Sequence, residues 1–91
     1  MPRLFKISIP SEADVRVYVT NDRSEADLIV YETTDQWAAT ESPIWYYTDV
    51  LGRAERTVYF TDARWQADLI ISMTDVQGEA GWIDKTKEDM L

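Results

Sequence analysis

The sequence predicts a β-rich α+β domain assembled from six short units, each a strand followed by a single helical turn. Three observations predict it: an alanine that recurs at a near-constant spacing, a polar residue that recurs five positions ahead of it, and β-branched or aromatic runs before each polar residue.

 The alanines are Ala13, Ala26, Ala39, Ala54, Ala67 and Ala80, spaced by 13 residues apart from one interval of 15 that contains Glu41-Ser42-Pro43. Such a period marks a repeat architecture rather than a chain of unrelated elements.

The strands come first in each unit. Asp27 to Thr33 and Asp68 to Thr74 are rich in β-branched and aromatic residues. Their alternation puts Leu28 and Val30 on one face with Ile29, Tyr31 and Thr33 on the other, and Val58 and Phe60 opposite Thr57, Tyr59 and Thr61. Both faces carry apolar side chains, so both need covering, which one open sheet in so short a chain cannot provide. At the end of the strand stands Thr20, Thr33, Thr48, Thr61 or Thr74, with Ile7 in the first unit. The next residue, Ser8, Asn21, Thr34, Asp49, Asp62 or Asp75, is of a type whose side chain accepts from free backbone N–H groups, and these six are the expected turn caps. About one helical turn then leads to the marker Ala, which is expected to face inward against a neighbouring backbone. Pro10 is tolerated in the first turn because early N–H groups there lack intrahelical partners. On general grounds the units should follow each other as an unknotted antiparallel meander closed into a barrel or folded into a sandwich, since closure protects edges and knots are rare.

Composition narrows function by exclusion. The 91 residues contain neither Cys nor His, which removes zinc fingers, disulfide frameworks, cysteine nucleophiles and imidazole bases. Nine basic residues against 17 acidic ones give a net charge of −8, which opposes phosphate and membrane-surface binding. No apolar stretch is long enough to span a bilayer, and the start has no continuous apolar region of the kind that directs export, so a cytoplasmic location is expected.

The runs VYVTNDRSEADLIVY and TVYFTDARWQADLII, closed by Glu79-Ala80-Gly81-Trp82, resemble a small bacterial repeat family of chains of about ninety residues. The resemblance covers Leu4 to Ile83 and implies a compact, deeply knotted chain, the seven-crossing septoil torus knot, with no established biochemical function. The third and fourth units depart from the pattern, with Thr40 and Glu55 at the Asp27 position and Arg56 at the Leu28 position. The domain is expected to run over residues 1–83, leaving Asp84 to Leu91 as a frayed polar tail.

Candidate sites are few. Asp22, Asp35, Asp49, Asp62 and Asp75, with Asp14, Asp27 and Asp68 just after the marker Ala, are read as turn caps in preference to calcium ligands, because the glycine-punctuated calcium spacing is missing. Arg16, Arg23, Arg53, Arg56 and Arg64 lie among acids and should form surface pairs. Trp37 and Trp65 share one position within the turn, occupied by Gly52 and Gly78 in two other units. Core packing is the preferred reading for these rings, and an exposed interaction surface is the alternative. The expectation is a non-enzymatic, monomeric structural or binding domain without cofactor or metal. The alternatives are an acidic module that takes a basic protein partner or mimics nucleic acid, and a small hydrolase working through carboxylates.

Overall fold

A computed structural model of the chain describes residues 3–91. Seven strands are present: β1 (Arg3–Lys6), β2 (Val15–Val19), β3 (Leu28–Glu32), β4 (Ile44–Tyr47), β5 (Arg56–Phe60), β6 (Leu69–Thr74) and the two-residue β7 (Gly81–Trp82). Between them lie three-residue 3-10 turns, η1 (Pro10–Glu12), η2 (Arg23–Glu25), η3 (Gln36–Ala38), η4 (Leu51–Arg53), η5 (Arg64–Gln66) and η6 (Gln77–Glu79), and η7 (Lys85–Met90) follows β7. The strands are shorter than the sequence suggests, and no α-helix occurs among the described residues, so the architecture is β with 3-10 connectors rather than α+β. Three helical residues suffice because the backbone must turn back at once to reach the next strand.

The first six strands close into a barrel in the order β4-β1-β5-β2-β6-β3, with β3 returning to β4. Every pairing in this ring is parallel, which replaces the expected antiparallel meander. Each of β1, β2 and β3 lies between two strands from the second half of the chain. The first pass of the chain therefore occupies alternate staves, and the second pass fills the gaps.

Register explains how so short a chain does this. First-pass strands partner second-pass strands at offsets of 43 on one side and 52 on the other, as in Val17 with Phe60 and Val17 with Leu69. The closing pair β3–β4 has an offset of 13, as in Tyr31 with Ile44. Against the marker alanines, every neighbouring pair is thus staggered by two residues in the same sense, and one circuit of the barrel is displaced by 12. Six strands with that shear tilt by about 54° at a radius of about 8 Å. A five-residue strand then travels about 13 Å around the barrel while climbing about 10 Å along its axis. Parallel strands ordinarily need a crossover of a dozen or more residues. Here the strand itself does most of the sideways travel, and eight connecting residues, as from Thr20 to Asp27, are enough to descend and start again. The irregular 15-residue interval falls between β3 and β4, where the chain moves by one stave instead of two and passes from the alternate positions into the gaps.

The interior follows from the stagger, because equivalent residues of the units form layers across the axis. The middle layer is Leu4, Val17, Val30, Trp45, Val58 and Ile71, all with no exposed area. One large ring among five aliphatic side chains fills the axis. Trp45 Nε1 donates to the Ser42 carbonyl at 2.8 Å, so this buried indole has its partner. Below it Val15, Leu28 and Leu69 are likewise buried. The outer face of the staves is half-covered by connectors of the other pass, with η2 against β6 and η6 against β3. The outer faces of β3 and β6 are thereby partly shielded, in keeping with their apolar composition.

Candidate functional site

The recurring Thr and the recurring acid mark the two rims of the barrel. At the rim where strands end, the hydroxyls of Thr20, Thr33, Thr48, Thr61 and Thr74 accept from the backbone N–H two residues on, at 3.1–3.2 Å. This is the Ser/Thr turn, and it bends the chain outward into the connector. The helical caps consequently fall one residue later than expected, on Ile9, Asp22, Asp35, Val50, Ala63 and Val76. Asp22 and Asp35 cap through their carboxylates, accepting from Ser24 N and Trp37 N. Ser8, Asn21, Thr34, Asp49, Asp62 and Asp75 precede the caps instead of forming them, because the Thr hydroxyl has already taken the first free N–H. The five-fold recurrence of Thr carried this signal in the sequence.

At the rim where strands start, the acid after the marker Ala reaches across to the other pass. Asp14 accepts from Thr57 N at 2.9 Å, Asp27 from Ile70 N at 3.0 Å and Asp68 from Arg16 N at 3.0 Å. In return the backbone N–H of each acid donates to the carbonyl of the same partner residue. These carboxylates complete the sheet at the N–H of the second residue of a neighbouring strand; they are not turn caps. Glu55 occupies the equivalent place and reaches Arg3 N at 3.4 Å, so the substitution in the fourth unit preserves the contact with a longer arm. Several acids also pair with cations across the two passes: Asp68 with Arg16, Asp27 with Lys87, Glu79 with Arg23 and Glu25 with Arg64. Burial opposes ionisation of Asp68, but hydrogen bonds from the Arg16 backbone and guanidinium outweigh it and hold the carboxyl below its ordinary value. The Arg23 guanidinium and the Thr74 hydroxyl do the same for Glu79. Among the described residues, no group of three acids converges as a metal centre requires.

The tail is ordered rather than frayed. Trp82 pairs with Leu28 in an antiparallel bridge, and the N–H groups of Ile83 and Asp84 both donate to the Asp27 carbonyl. Trp82, Met90 and Leu91 pack against the core, while Trp82 Nε1 donates to Ser42 Oγ at 2.7 Å. Asp84 caps η7 through Thr86 N, and Lys87 Nζ lies 2.9 Å from Asp27. Met90 and Leu91, packed against the core, outweigh the polar composition of the tail. A recess of about 470 Å³ beside this rim is lined in part by Asp14, Arg16 and Asp68, whose polar atoms are already engaged with one another or with backbone.

The two tryptophans reverse the preferred reading. Trp37 is 71% exposed and Trp65 is 83% exposed, each at the middle of its 3-10 turn. The turn is too short to bend a large side chain back to the staves beneath it. Trp45 and Trp82 supply the packed indoles instead.

The geometry defines a class: a closed parallel barrel, wound in two interleaved passes of a repeated strand-and-turn unit, with no helix among the described residues long and apolar enough to cross a membrane. Within that class the chain belongs to the septoil knot family, because the profile of the 7(1) septoil knot domain matches residues 1–83. No curated protein and no solved structure matches it.

Proposed function

We propose that this chain is a cytoplasmic, monomeric binding domain rather than an enzyme, and that it presents Trp37 and Trp65 from an acidic barrel to a basic protein partner. The exposure of two equivalent indoles on tightly held turns carries this reading. Trp37 N is fixed by Asp35, whose own N–H is fixed by Thr33. Around Trp65, the Thr61 turn and the Arg64–Glu25 pair restrain the backbone and the adjacent side chain. Rings carried on a fixed backbone cost less ordering of the chain on binding, and Trp buried at an interface dominates its energetics. The net charge of −8 favours a basic partner and disfavours nucleic acid. The test is capture of basic proteins on immobilised wild-type, Trp37→Ala and Trp65→Ala protein, with salt elution. Salt-sensitive retention that both substitutions weaken supports the reading, and retention indifferent to both removes it.

The path of the chain is, on the same proposal, the 7(1) torus knot of its family. Two interleaved passes wound in one sense support it. Closing the chain with an engineered terminal disulfide and unfolding it in guanidinium tests it by X-ray scattering. A knotted ring stays more compact than an unknotted ring of equal length, and equal dimensions would exclude the knot.

A further inference from the structure

The layer nearest the strand ends consists of Lys6, Val19, Glu32, Tyr47, Phe60 and Met73, one from each stave. It is the one interior layer that mixes opposite charges with apolar surface. Lys6 Nζ stands over the ring of Tyr47, 4.3 Å from its centroid, and 5.4 Å from that of Phe60. It has no ion-pair partner among the described residues, although five other cations do. The Tyr47 hydroxyl is shut off from water without a hydrogen bond of ordinary geometry, beside the Glu32 carboxylate. Tyr47 is itself fixed by an edge-on contact with Trp45, their centroids 6.3 Å apart. Next to this cluster a shallow recess of about 410 Å³ is lined by Phe5, Lys6, Tyr47, Thr48 and Asp49. That volume lies in the range of small-molecule sites.

We propose that this open end of the barrel binds a free amino acid with an apolar side chain, its carboxylate on Lys6, its ammonium on Asp49 or Glu32, and its side chain on the aromatic surface. The charges select a zwitterion. A simple carboxylate would be drawn to Lys6 but would meet Glu32 and Asp49 without compensation. An amine would be drawn to Asp49 and Glu32 but would meet the Lys6 ammonium without compensation. A molecule carrying both charges on one carbon, as an α-amino acid does, satisfies both signs and leaves its apolar part for the rings. None of the residues that line the recess belongs to the tryptophan turns, so the assignment stands or falls independently of the protein-binding reading.

The experiment is titration of isotopically labelled protein with L-phenylalanine through the millimolar range, read by amide chemical shifts. Saturable shifts centred on Lys6, Thr48 and Asp49 are expected, with at least tenfold weaker binding in Lys6→Met and weaker binding of phenethylamine and 3-phenylpropionate to the wild type. Glu32→Gln is expected to weaken the amino acid and leave 3-phenylpropionate unaffected or improved. The spectrum of each variant away from the mouth reports whether it has kept its fold. No saturable shift, undiminished binding in a folded Lys6→Met variant, or equal affinity for 3-phenylpropionate overturns the assignment.

Discussion

The two ends of the barrel are built from the same repeated unit and finished in opposite ways. At the strand-start end, Val15, Leu28 and Leu69 are buried under Trp82, Met90 and Leu91, and the acids of the rim are consumed by backbone N–H groups and by cations. At the strand-finish end, Val19 is 41% exposed, Lys6 rests on aromatic rings, and both Lys6 and Glu32 are exposed. The difference teaches that the repeat specifies a tube and leaves its ends to residues outside the pattern. The eleven residues after the last marker Ala close one end, and single departures such as Lys6, Glu32 and Tyr47 give the other its polarity.

Substitutions at the two ends should separate them. Leu28→Ala at the sealed end is expected to cost about 2–5 kcal/mol, since it leaves a cavity that its neighbours cannot fill, whereas the only partly buried Phe60 should cost clearly less when cut to Ala. Chemical denaturation of both variants measures this, and equal losses would break the contrast. Asp27→Ala is the next largest, at about 1–3 kcal/mol, because Ile70 N–H and the Lys87 ammonium both lose an acceptor. A fragment of that loss should reappear as faster amide exchange at Trp82 before the rest of the barrel opens.

Acidification should loosen the sealed end. Asp68 is held below its ordinary value of 3.8 despite its burial, by Arg16, and Asp84 by the Thr86 hydroxyl and N–H. A depressed folded-state value contributes stability that is present above the unfolded value and is lost as pH falls through the folded one. The melting temperature is therefore expected to fall as pH drops below about 3.8, with the amides of residues 82–91 exchanging first. Salt should soften the effect, since these acids lie near the surface. The smallest change is expected from Lys6→Met, which should move stability by no more than about 0.5 kcal/mol because the methionine keeps the apolar contact with Tyr47 and loses an unpaired charge. A larger loss would show that the open end depends on its cation for stability.

Much of this was readable from the residues. The 13-residue period located the six repeated strands and their turns but neither β7 nor η7, because one side-chain alternation and one turn chemistry are repeated only through the six units. Strand direction was not readable. A strand-turn unit fits antiparallel and parallel neighbours equally well until the partner is known, and here each partner lies 43 or 52 residues away. The acids after the marker Ala show the same gap: their type pointed correctly to capping of backbone N–H groups, yet Asp14 serves Thr57 and Asp68 serves Arg16, which only the winding brings together. Trp37 and Trp65 were misjudged because composition assigns indoles to the core, and the length of the turn that carries them decides otherwise. The mouth cluster left no motif, since Lys6, Glu32 and Tyr47 meet only through closure of the ring.

Interleaving also governs the order in which structure can arise during synthesis. None of β1, β2 and β3 pairs with another of the three, so the first half of the chain leaves the ribosome with no sheet available to it. The earliest pairing open to it is β3 with β4, once Ile44 and Trp45 have emerged. Until then Leu4, Val15, Val17, Leu28 and Val30 are held by nothing that the final barrel contains, and nearly half of the polypeptide is a client for chaperones. With partners so distant in sequence, assembly is expected to be slow and concerted, and a protein of this size would fold on the timescale of far larger ones.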